Sequence, residues 1–116
     1  VDLFTQRIAE QMAHAKERAL RLRAAVPSLA HDLRVRGATK VILVGSLARG
    51  DAYNVDTDVD LIVWGLSLGD AYVAGCELSE TLGARVEVIP FEVTGPRLHR
   101  AIETEGIDVT ERDVAS

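Results

Sequence analysis

The chain has 116 residues, room for one domain and too little for two. Its apolar fraction of 47% and charged fraction of 27% are those of an ordinary globular protein, and its one cysteine, Cys76, excludes an internal disulfide and a cysteine-based zinc site. The net charge of −5 is uneven: residues 1–40 carry +4 and residues 41–116 carry −9, a poor electrostatic match for nucleic acid.

Residues 2–26 read as a long amphipathic helix. Phe4, Ile8, Met12, Ala15, Ala19, Leu22 and Val26 recur at steps of three and four, forming one apolar stripe, and basic residues mostly take the other faces. Pro27 is expected to break this helix and open a second over about 28–36, with Leu29 and Leu33 inward and Gly37 as its stop. Residues 40–44, Lys-Val-Ile-Leu-Val, are a short apolar run rich in β-branched residues, which predicts a strand buried on both faces. A helical turn over 47–50 and a polar loop over 51–57 follow, with Asp51 solvated and Asp56 a loop or capping residue. Residues 58–64 form the second strand. Residues 70–82 form a helix with Ala71, Val73, Ala74, Leu78 and Leu82 toward the core, and with Cys76 as a small buried hydrophobe. Residues 85–91 are the third strand. Thr94 is expected to cap a last helix with Pro96 near its start, and 107–109 add a short edge strand. Strands alternating with helices predict an α/β (α+β) domain: a small mixed β-sheet with flanking helices and a long N-terminal helix. Trp64 is expected to pack under the turn that follows it. No pair among His14, His31 and His99 has metal-ligand spacing.

The chemistry concentrates in Val44-Gly45-Ser46-Leu47-Ala48-Arg49-Gly50 and Asp56-Thr57-Asp58-Val59-Asp60-Leu61. Alternate residues of a strand share a face, so Asp58 and Asp60 present two carboxylates side by side while Val59, Leu61 and Val63 point the other way. Adjacent half-buried carboxylates repel, and a hard divalent cation such as magnesium relieves them. Gly45 lets the backbone turn sharply after the first strand and lets a ligand approach. Ser46 offers a hydroxyl and an amide, and Arg49 a guanidinium fork, to phosphate. Glu87, an acid between Val86 and Val88 on the third strand, supplies a third carboxylate. A phosphate cradle beside a metal-binding pair is the minimum equipment for metal-assisted nucleotidyl or phosphoryl transfer.

Gly45-Ser46, then after eleven residues Asp58-x-Asp60, then an acid on a later strand, resembles the DNA polymerase beta-like nucleotidyltransferase superfamily. The chain is most similar to its smallest members, the minimal nucleotidyltransferases (MNT), several of which are antitoxins of HEPN-domain toxins. The resemblance spans about residues 28–109. It implies a nucleotidyltransferase domain over 27–111; residues 1–26 then stand as a helical extension outside the family core, and 112–116 are expected to fray as a terminus. It implies that Gly45 and Ser46 hold the nucleotide, that Asp58 and Asp60 bind two magnesium ions, and that Glu87 is a metal ligand or a base; Arg49, from its place three residues after Ser46, is read either as a further nucleotide ligand or as a salt-bridge residue. The implied reaction moves AMP from ATP to a hydroxyl, a tyrosine of a HEPN toxin, in a hetero-oligomer. Two departures stand out: the spacer of eleven residues is one longer than in toxin-paired members, and the third acid is Glu where Asp is common.

Two other readings stay open. The fold could neutralise a toxin by contact with a degenerate site, or it could act on a small molecule after oligomerising. The chain is too short for a dedicated acceptor domain, which favours a protein that brings its own acceptor. The long basic helix is the first candidate for a partner surface. The single thiol fits a reducing compartment, Val1 to Phe4 lack signal-peptide character, and no apolar run reaches the roughly 20 residues of a membrane span, so a cytoplasmic location with no membrane partner is expected.

Overall fold

A computed structural model describes residues 2–50 and 57–111. The readings of Asp51, Asp56 and the tail 112–116 lie outside the described residues. Helix α1 spans Leu3–Val35, capped by Asp2, whose side chain accepts the Thr5 amide at 2.7 Å. The break expected at Pro27 does not occur: the proline lies inside one helix of 33 residues. A mid-helix proline forfeits the bond to the carbonyl four residues back, at about 3 kcal/mol. Leu22 and Val26 before it and Leu29, Ala30 and Leu33 after it lie on one buried stripe. Each large apolar side chain buried there contributes about 1.5–3 kcal/mol, so packing outweighs the proline.

The first half of the expected stripe is not buried. Phe4 is 73% exposed and Met12 56%, and Ala15 is the first buried residue of α1. At about 1.5 Å per residue α1 is about 50 Å long, against a longest molecular dimension of 53 Å. Its first turns overhang the sheet, so nothing within the described chain covers them.

Strands β1 (Lys40–Val44), β2 (Val59–Trp64), β3 (Val86–Pro90) and β4 (Ile107–Asp108) form one mixed sheet in the order β3-β2-β1-β4. β1 pairs antiparallel with β2 and with β4, and β2 pairs parallel with β3. The parallel pair requires a crossover, which helix α3 (Leu68–Leu82) supplies. A four-residue helix, α2 (Ser46–Arg49), follows β1, and helix α4 (Pro96–Glu105) leads into β4.

The two sheet faces differ. Val41 and Leu43 of β1 and Val59, Leu61 and Val63 of β2 join α1 and α3 in the main core. Ile42, Val44 and Ile62 form a smaller cluster on the opposite face, flanked by Trp64, Ile89, Phe91 and, from α4, Leu98 and Ile102. Trp64 stacks on Phe91 at 4.7 Å, so its ring packs against the turn after β3 and not the turn after β2.

α3 starts on the Ser67 cap and buries Ala71, Ala74, Gly75 and Leu78. A Cβ on Gly75 would lie 3.1 Å from the Val86 carbonyl, so this helix sits close on β3. Val73 and Cys76, expected inside, are exposed. They lie about 200° and 140° round the helix from Ala71 at 100° per residue, on its solvent side. Gly95, and not Thr94, caps α4; Thr94 instead closes the short turn Phe91–Val93 by donating to the Phe91 carbonyl at 2.6 Å. Among the described residues no helix is long and apolar enough to cross a membrane.

Candidate active site

The site forms where β1 ends. Gly45 has φ +85°, and a Cβ there would lie 2.7 Å from the Asp60 carboxylate. The glycine is required twice, for a backbone angle that L-residues avoid and for room beside an acid on the neighbouring strand. The β1–β2 register sets Val44 opposite Asp60, which brings that acid to the turn.

β3 adds the next acid. The parallel register pairs Asp60 with Glu87, so the two share a face, and Glu87 lies within hydrogen-bonding reach of Asp60. Burial, then the hydrogen bond and charge of Glu87, then the charge of Asp58 push the Asp60 carboxyl up to about 6, against the opposing charge of Arg85. Arg85 donates to Glu87 at 2.7 Å. Asp58 stands just before β2, half-buried. The approach to β2 is tied to α1: Arg18 donates to the Thr57 carbonyl at 3.4 Å.

Asp60, Glu87, Gly45 and Arg49 line one cleft of about 670 Å³, with α4 as its other wall. That volume is in the range of small-ligand sites. Asp58 and Ser46 adjoin the cleft in sequence without lining it. Among the described residues no three His, Cys, Asp or Glu side chains are gathered closely enough to enclose a metal ion. The donor chemistry nevertheless fits a hard divalent cation: Asp60 and Glu87 offer carboxylate oxygens on one face, and a cation beside them would offset both the burial and the like charge that raise Asp60.

One residue of the site is absent from the sequence reading. Glu105, the last residue of α4, accepts the Gly45 amide at 2.6 Å and a nitrogen of the Arg49 guanidinium at 3.1 and 3.2 Å. Its side chain is 17% exposed. Arg97 and Arg100 also line the cleft from α4. Their local signal was only that of a polar helix. The one usable hint is that an acid in the last helical turn opposes the helix dipole, which asks for a compensating partner.

No protein-family model matches the chain, and no curated protein matches it. Solved structures do match. A toxin–antitoxin structure with AMP-PNP is 18% identical, with a TM-score of 0.62 over 80% of this chain and 77% of that one. The tri-AMPylated Shewanella oneidensis HEPN toxin in complex with MNT antitoxin matches at 15% identity and a TM-score of 0.51, covering 72% of this chain and 71% of that one. At such identities these two show the fold. A third structure, assigned as a minimal nucleotidyltransferase, is 33% identical with a TM-score of 0.58, and the match covers 72% of this chain and 88% of that one. With that identity over most of a relative's length, and with the Gly45 turn set against Asp60 and Glu87, the chain belongs to the minimal nucleotidyltransferases.

Proposed function

We propose that this protein transfers AMP from magnesium-ATP to a hydroxyl of a partner protein, a tyrosine of a HEPN-domain toxin, as the cytoplasmic antitoxin of that toxin. The observation that carries the reading is the Asp60–Glu87 pair facing the Gly45 turn across one cleft. It is supported by the AMP-PNP in one neighbour and the AMPylated HEPN toxin in another.

In this reading Asp58, Asp60 and Glu87 would hold magnesium, whose charge would acidify the acceptor hydroxyl and neutralise the leaving pyrophosphate. The Gly45 amide, Ser46 and Arg49 hold the triphosphate in line. The acceptor oxygen bonds to the α-phosphorus as the bond from that phosphorus to the β-bridging oxygen breaks. Pyrophosphate leaves with that electron pair, and the hydroxyl proton passes to a carboxylate, for which Glu87 is the candidate. Gly45 keeps the backbone clear of Asp60, so that the acid faces the cleft.

The test is transfer of label from α-labelled ATP, with magnesium, into proteins of host lysate, with wild type and Asp58→Ala/Asp60→Ala side by side. The expected result is label on one discrete band, lost in the double variant. Unlabelled lysate, with wild type folded and still capturing one specific partner, would replace transfer with neutralisation by contact.

A further inference from the structure

Glu105 sits where the proposed function needs phosphate. Its carboxylate accepts the Gly45 amide at 2.6 Å and contacts the Arg49 guanidinium through both oxygens, at 3.1 and 3.2 Å. A backbone amide and a guanidinium are the donors that a phosphate would take, and a carboxylate is the protein's own nearest equivalent. The position is not a passive one. Glu105 ends α4, where the helix dipole disfavours an anion, and its side chain is largely withdrawn from water. Both penalties are offset by the two donors. The same carboxylate lines the cleft that holds Asp60 and Glu87, so it lies in the path of a nucleotide and not behind it.

We propose that Glu105 is a built-in competitor for the triphosphate: it holds the Gly45 amide and Arg49 before nucleotide enters, and ATP must displace it to bind. This rests on the nucleotidyl-transfer reading of the same cleft. The device would set a threshold of ATP concentration below which the site stays closed on its own carboxylate. It would also bias the site toward ligands whose charge outcompetes a single carboxylate, which favours triphosphate over monophosphate and over the adenosine moiety alone.

The alternative role for Glu105 is a strut that holds the Gly45 turn in shape. The two roles predict opposite signs. The experiment is equilibrium binding of magnesium-ATP, inorganic tripolyphosphate and adenosine to wild type, Glu105→Gln and Glu105→Ala, with thermal melts to verify folding. A competitor predicts that ATP and tripolyphosphate both bind about tenfold tighter to the two variants, the effect of removing one charge-assisted hydrogen bond, while adenosine binds unchanged. If Glu105→Ala does not fold, Glu105→Asp serves in its place: its shorter side chain draws the charge back from Gly45, and tightening is again expected. Unchanged or weaker triphosphate binding in folded variants, with wild type still binding ATP, would overturn the competitor and leave nucleotidyl transfer standing. Failure of wild type and variants alike to bind any triphosphate would overturn both. Tighter binding with no label transferred in lysate would support the competitor and remove only the transfer reaction.

Discussion

The two faces of β2 are built from adjacent residues and serve different ends. Val59, Leu61 and Val63 are each 0% exposed and sit in the main core between the sheet and helices α1 and α3. Asp60 sits between them in sequence and on the other side in space, opposite Glu87 and beneath Gly45. Because the strand's period is two, neighbouring positions answer to different physics: one face to burial, the other to charge. Asp60 and Glu87 are each held between two buried neighbours, Val59 and Leu61 for the one and Val86 and Val88 for the other. The site is also the place where the fold tolerates an unfavourable charge.

Substitutions on β2 should therefore separate stability from chemistry. The largest effect belongs to Asp60→Ala, for which label transfer should fall by at least about 10³-fold, roughly 4 kcal/mol of transition-state stabilisation, with no loss of melting temperature. One residue away, Leu61→Ala should cost about 3 kcal/mol of stability through a buried cavity, read by denaturant titration. Activity of the surviving folded fraction should stay near wild type. A Leu61→Ala protein of unchanged midpoint would break the comparison.

Gly45→Ala tests where the faces meet. It forces a side chain into a positive-φ position and against the Asp60 carboxylate, and should cost about 2 kcal/mol while also lowering transfer. Loss on one axis alone would show that the glycine serves only one of its two roles.

The smallest effect has the opposite sign. Asp60 titrates near 6 in the folded protein, above its ordinary 3.8, so the folded state binds this proton more tightly than the unfolded chain does. Stability from this group is fully present below about 3.8 and is lost as pH rises through about 6. Asp60→Asn, neutral at every pH, should therefore be more stable than wild type by about 1 kcal/mol at pH 7, a value reduced by the water that reaches the carboxylate. That gain should fade between pH 6 and pH 4. Millimolar magnesium should raise the melting temperature of wild type and not of Asp60→Asn. Equal stability of the two proteins at pH 7 would mean that the acidic face carries no strain.

Where the structure departs from the local pattern, the cause is tertiary packing. The stripe Phe4, Ile8, Met12 is correctly periodic, yet periodicity says which side of a helix is apolar and not whether anything covers it. Pro27 is a helix breaker by its own geometry, and it was overruled by Leu22, Val26, Leu29 and Leu33, whose burial depends on the sheet beneath them. Apolar character alone predicts Val73 and Cys76 inward, whereas the stripe that α3 lays on the sheet is Ala71, Ala74, Gly75 and Leu78.

What the sequence determined by itself is local. Apart from the split expected at Pro27, the order of strands and helices, the placing of Asp60 on the face opposite Val59 and Leu61, and the need for glycine after β1 follow from backbone periods of two and 3.6 residues and from the sterics of single residues. The tertiary structure decided everything that joins distant segments. It set Glu87 opposite Asp60 through a parallel register, and it brought Glu105 onto Gly45 and Arg49 from 60 and 56 residues away. No local pattern encodes such meetings, because they follow from how the helices and strands pack and not from the preferences of the residues that meet.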